Sequence, residues 1–242
     1  MQQKSSMRWV ILFILVFGTA MLNFSNLIFA SRPTDVMEQF NMTQTQLTAI
    51  STVGQLPGAF FSVWLGHMID KKGVRMLPGI LLALAAACQI WRCFAADYVS
   101  LFIITFLAGA FFLPTQILQG KLLGVWFSRE EMGTAMGIYG AGAGLGTTLA
   151  FAFGGLFPTI GIAFMVIAAG YVIEAALWFL FIKMPAGLAG GPVSEAPKGN
   201  LKNVFKSKNM WLLMICGGLS VGAALLLNSY LVNAFLAKGM DP

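Results

Sequence analysis

Chemistry-bearing side chains are few in this sequence, and most of them sit in one place. The stretch Gly66-His67-Met68-Ile69-Asp70-Lys71-Lys72-Gly73-Val74-Arg75 holds four residues charged at neutral pH within six positions, in a chain of which only 10% is charged. Its glycines permit a tight reversal and close helix approach. Asp70 follows an apolar run whose helical C-terminus carries partial negative charge, so the carboxylate needs a basic partner or another helix's N-terminus. His67 has no second metal-binding residue nearby and reads as a loop residue. Glu174 is the other conspicuous acid, roughly 14 residues into an apolar run, or about 21 Å along a helix. A carboxyl buried at that depth is costly and marks a candidate for proton coupling; the plainer reading is a protonated structural group.

The remaining polar residues inside apolar runs are uncharged. Thr19, Asn23 and Asn26 fall at i, i+4 and i+7, on one helical face. Thr105, Phe112, Gln116 and Gln119 share another, with Pro114 as a kink, and Asn228 lies inside a later run. Such groups suit a solute pathway near mid-membrane, or they hydrogen-bond neighbouring helices. Gly140, Gly142, Gly144 and Gly146 are small residues spaced for close helix packing in lipid. They do not form a dinucleotide fingerprint, because no full Gly-x-Gly-x-x-Gly occurs there. Cys88, Cys93 and Cys216 match neither a zinc site nor a redox pair and read as apolar fillers. Asn41-Met42-Thr43 fits a glycosylation acceptor, a triplet common by chance. With no paired carboxylates, nucleophile-base set or metal cluster, an enzyme is not expected, and neither is a cofactor or a metal.

The elements that position these residues are membrane spans. A soluble chain carries about a quarter charged residues, and apolar residues make up 58% here. The apolar runs are roughly 20 residues long and do not alternate, which favours helices over a barrel. The first runs from Arg8 to Ala30, too long for a signal-peptide core. A polar loop is expected over residues 31–43, with Arg32, Pro33, Asp35 and Glu38. The second span runs from Gln44 to Met68, broken at Gly54 and Pro57-Gly58, and the third from Met76 to Ala96. After a turn at Asp97-Tyr98, the fourth covers Val99 to Phe127, with Lys121 where it reaches the surface. Ser128-Arg129-Glu130-Glu131 leads into the fifth, Met132 to Phe157, and Pro158-Thr159 into the sixth, which ends near Lys183. Residues 184–209 turn polar and basic, and a seventh span is expected from Met210 to Ala237.

This gives a six-helix bundle over residues 1–183, a linker over 184–209 and a seventh helix within 210–242. Placing the N-terminus in the cytoplasm puts twelve of the 15 basic residues on that side, leaving Arg32, Arg92 and Lys238 outside. That asymmetry satisfies the positive-inside rule. The basic residues are scattered singly at run ends, so the net charge of +6 does not indicate nucleic acid. Loop lengths and acid placement repeat between spans one to three and four to six, as in transporters built from inverted repeats.

The Gly66–Arg75 turn resembles the signature between the second and third helices of major facilitator superfamily transporters, matching it at Gly66, Asp70, Lys71, Gly73 and Arg75. Trp126-Phe127-Ser128-Arg129-Glu130-Glu131-Met132-Gly133 is similar to that family's loop into its fifth helix. The resemblance implies an all-α polytopic membrane protein: the family's six-helix bundle of two inverted three-helix repeats, plus a seventh helix. It also implies secondary active transport of a small solute by alternating access, with protons or another ion coupled by symport or antiport. A non-transporting sensor or assembly protein on the same scaffold is the alternative. In the family the aspartate of the turn latches the two halves together on the cytoplasmic side, and helices one, four and seven line the cavity. The sixth helix is peripheral. Departures from the pattern are Thr105 where many members carry arginine, and a glycine-rich fifth helix without the Gly-Pro pair of antiporters. Members have twelve helices, so the resemblance implies that a C-terminal half is needed for transport and that this chain alone does not transport. The expected partners are a lipid bilayer, in a multi-pass cell-membrane setting, and a small-molecule substrate.

Overall fold

A computed structural model describes residues 6–182, 207–212, 214–220 and 222–223. The chain divides into two compact units, Met1–Ala186 and Gly187–Pro242. Among the described residues the first unit contains eight α-helices and no strand: α1 Met7–Ser31, α2 Pro33–Gln39, α3 Gln44–Val53, α4 Leu56–Lys72, α5 Met76–Arg92, α6 Tyr98–Trp126, α7 Met132–Phe153 and α8 Ile160–Phe181. A 3-10 turn, Gly154–Leu156, extends α7. Four of these helical segments are long and apolar enough to cross a membrane: Met7–Ser31, Tyr98–Trp126, Met132–Leu156 and Ile160–Phe181. At 25 residues α1 is about 37 Å long, more than the ~30 Å hydrocarbon layer.

Helix boundaries follow local chemistry. Thr43 caps α3 by accepting from the Gln46 backbone N–H, while the Gln46 side chain accepts from Thr43 N–H at 2.8 Å. Asp97 and Ser100 form the same reciprocal box at the start of α6. The second span breaks between α3 and α4 at Gly54-Gln55, with Pro57 in the first turn of the new helix, where its missing N–H is harmless. Gly73 ends α4 at φ 86°, a left-handed conformation that a side chain disfavours.

Two expectations are corrected. Residues 31–43 are not a plain loop, because Pro33 opens the short helix α2 with Asp35 in its first turn. The third span is helical only to Arg92, a 17-residue helix that ends before Ala96. Arg92, at the end of that helix, is 1% exposed. Of the expected seventh span, the described residues from Met210 onward are helical, and the remainder lies outside the described residues.

Within the first unit α1 packs on α7 and α8, α5 on α6 and α8, and α3 and α4 on α6. Exchanging the first three spans with the second three preserves this pattern. The α1–α7 contact maps onto that between α6 and the broken second span, α5–α6 maps onto α8–α1, and α5–α8 maps onto itself. In lipid such contacts depend on shape rather than on apolar burial. Accordingly, Gly142 approaches α1 so closely that a Cβ would stand 2.8 Å from the Val16 carbonyl oxygen, and one on Gly146 would overlap the Ala20 carbonyl. Gly140 and Gly144 meet nothing within 4 Å.

Candidate functional site

A cavity of about 190 Å³ opens where α1, the α3–α4 break and α6 converge. Leu22, Asn23 and Asn26 line it from α1, Gly54, Gln55 and Gly58 from the break, and Gly109, Leu113 and Gln116 from α6. Four carboxamides face it and no charged side chain does, so the lining suits hydrogen bonding rather than ionic recognition. The break itself is held by backbone: a Cβ on Gly109 would overlap the Gly54 carbonyl, so only glycine lets α6 lie this close. Asn23 donates Nδ2–H to the Thr19 carbonyl at 2.9 Å.

Asn23, Asn26 and Gln116 are thus brought together, and Gln55 joins them. Thr19 faces a second crevice instead, with Leu15, Phe112, Thr115, Tyr139 and Glu174. Gln119 lies outside both groups, and Asn228 lies outside the described residues. Glu174 is 1% exposed and sits against Gly18 of α1, where a Cβ would overlap its carboxyl group. Its Oε2 has no hydrogen-bond partner among the described residues.

In the signature turn, Asp70 pairs with Lys121 of α6, a partner within the same six-helix bundle. Both side chains are partly exposed, which makes the pair worth about 0–1 kcal/mol. Arg75 donates to the Phe179 carbonyl at 2.7 Å and so satisfies the last turn of α8. Gly66 lies beside Ile117, with a Cβ position 3.9 Å from its Cγ2. Lys71 falls in the last turn of α4, and His67 is not a loop residue but an exposed residue within that helix, which continues to Lys72.

A polar cluster that periodicity alone did not reveal joins α1 to α5. Arg92 donates to Ser25 Oγ at 2.7 Å, to the Ser25 carbonyl at 3.2 Å and to Gln89 Oε1 at 3.0 Å. Its guanidinium lies between the rings of Phe29 and Phe164, 4.4 and 4.2 Å from their centroids. The legible signal was the i, i+3 spacing of Gln89 and Arg92, which puts both on one helical face. On the loop side, Arg8 pairs with Glu131 at 2.8 Å. Burial pushes the Glu131 carboxyl up, but the Arg8 guanidinium and the Ser128 hydrogen bonds outweigh it and hold the group below the usual carboxylate range. Asp97 is likewise held low by its hydrogen bonds from Ser100. Among the described residues no three metal-binding side chains cluster.

The sequence profile described as Major Facilitator Superfamily matches residues 10–241. The chain belongs to that superfamily of membrane transporters. It is 20% identical over 229 residues to the "Probable L-galactonate transporter" of Escherichia coli (strain K12), covering 84% of this chain and 49% of that protein. It is 25% identical over 157 residues to the "Hexuronate transporter" of Bacillus subtilis (strain 168), covering 61% and 36%. A "Nitrate/nitrite transporter" of Nostoc punctiforme is 27% identical over 166 residues, covering 62% and 32%. The chain thus spans half or less of the length of these relatives. In fold it is similar to the crystal structure of a bacterial homolog of the human lysosomal transporter Spinster, in an inward-facing and unoccupied conformation. The TM-score is 0.76 at 13% identity, covering 96% of this chain and 56% of that one.

Proposed function

We propose that the whole protein is a secondary transporter that moves a small, neutral, polar solute by alternating access, and that the α1–α6 cavity forms one side of its binding site. The observation that carries this reading is the lining of four carboxamides without a charged side chain. Amides offer both donors and acceptors, which suits hydroxyl-bearing solutes such as sugars or polyols. The partner half, contributed by a longer chain, completes the site, and the protein resides in the cell membrane with its N-terminus in the cytoplasm. The distribution of basic residues supports that orientation.

A second reading is transport of an organic or inorganic anion, favoured by relatives named as transporters of L-galactonate, hexuronate or nitrate and nitrite. It requires a cation from outside the residues that line this cavity. Reconstituted full-length protein tested for uptake of L-galactonate, glucuronate and nitrate beside galactose and a polyol separates the two. Uptake of the neutral sugar or polyol alone supports the first reading, and uptake of the acids alone overturns it. No uptake of any solute under proton or sodium gradients would favour a sensor or assembly role on the same scaffold.

A further inference from the structure

We propose that the crevice around Glu174 is a proton-binding site whose occupancy is communicated to the solute cavity through α1, so that this helix joins a coupling site to a binding site. The inference rests on the cavity assignment above. Glu174 is buried, and no cation lies within ion-pair distance of it among the described residues. A carboxylate enclosed in this way has neither water nor counter-charge to stabilise it, whereas the neutral acid needs neither. The groups packed around it are almost all untitratable. From α1 come Leu15, Gly18 and Thr19, and from α6 Phe112 and Thr115, while α7 supplies Tyr139 and α8 itself Tyr171, one turn away. Arg92 of α5 is engaged by Ser25 and Gln89 rather than by Glu174.

The site is also shaped for this carboxyl group. Gly18 is the position at which any side chain would displace it, and the group therefore rests directly on the backbone of α1. The next residue, Thr19, lines the crevice and, with its carbonyl, accepts the amide of Asn23 one turn further along. Asn23 faces the solute cavity. A charge appearing on Glu174 must attract water or a donor, and any adjustment of α1 that admits one also moves Asn23. The exchange is a single proton taken from water by the carboxylate and returned to water from the acid.

The test needs no transported solute. Infrared difference spectra of the reconstituted full-length protein, recorded over an acid-to-alkaline titration, report protonated and ionised carboxyls directly. The expected result is a carboxylic-acid band, absent in Glu174→Gln, that converts to carboxylate within the range where the protein stays folded. Asn23→Ala should shift the midpoint of that conversion. A band that never titrates, a residue ionised throughout, or a midpoint unmoved by Asn23→Ala would each overturn the proposal. If Glu174→Gln does not fold, the assignment is made with Glu174→Asp, whose shorter side chain moves the band without removing it. A titrating band in a protein that takes up no neutral solute would sink the solute reading and leave the proton site standing.

Discussion

Gly146 and Gly170 both face α1 or its side chains closely, and the structure predicts different tolerance for them. At Gly146 a Cβ meets the Ala20 carbonyl, with the Asn23 Cβ 2.9 Å away, so the obstacle is mostly backbone. At Gly170 it meets the thioether of Met21, the far end of a flexible side chain. Gly146→Ala therefore forces α7 from α1 at an overpacking cost of about 1–3 kcal/mol. Alanine's helix preference recovers about 1 kcal/mol, which leaves a net loss of about 0–2, centred near 1 kcal/mol. Gly170→Ala costs a Met21 rotamer change of about 0.5–1.5 kcal/mol against the same recovery, and so comes out near zero. The difference of about 1 kcal/mol is about a fivefold change in the unfolding equilibrium. Equilibrium unfolding in mixed detergent micelles, followed by tryptophan fluorescence, reads it directly. If Gly170→Ala is as damaging as Gly146→Ala, or Gly146→Ala is neutral, the reasoning from backbone contact fails.

Asp70→Asn should change stability by less than about 1 kcal/mol, since its pair with Lys121 is partly exposed. Loss of uptake in that variant with unchanged unfolding would then be conformational in origin, whereas a large stability loss would show the pair to be structural. Arg92→Lys keeps the charge but loses the planar stack between Phe29 and Phe164, and should lower stability by about 2 kcal/mol. An unchanged unfolding midpoint would count against the stack. Glu131 ionises more readily folded than unfolded, so its contact with Arg8 contributes fully above the unfolded value near 4.3 and is lost as pH falls through the lower folded value. Hydrogen exchange in the first turn of α7 should rise on acidification in the wild type and lose that pH dependence in Glu131→Gln. Persistence of the dependence in the variant would assign it elsewhere.

Much of the fold was legible because spans announce themselves by length and hydropathy, and because Gly54 with Pro57 marked the break in the second span. The helix over 33–39 was harder, since seven residues with only the adjacent pair Val36-Met37 apolar besides Pro33 are too few to show a helical period, although Pro33 followed by Asp35 was a start signal. The cavity was partly legible: the spacing of Asn23 and Asn26 gave one wall. Gln55 was hidden in a break whose geometry depends on Gly109, some 54 residues later. What pattern could not supply was pairing across helices. Lys121 with Asp70, Ser25 with Arg92, and Gly18 with Glu174 are each set by which faces meet, and periodicity names a face without naming its partner.

Because α1 walls both the carboxamide cavity and the Glu174 crevice, thermodynamic reciprocity constrains whatever passes between them. If a proton on Glu174 changes solute affinity by some factor, bound solute must change proton affinity by the same factor. The direction of coupling would then be no separate property of the protein. A single sign, measured at either site, would determine whether acidity on one side of the membrane helps load the solute or helps release it.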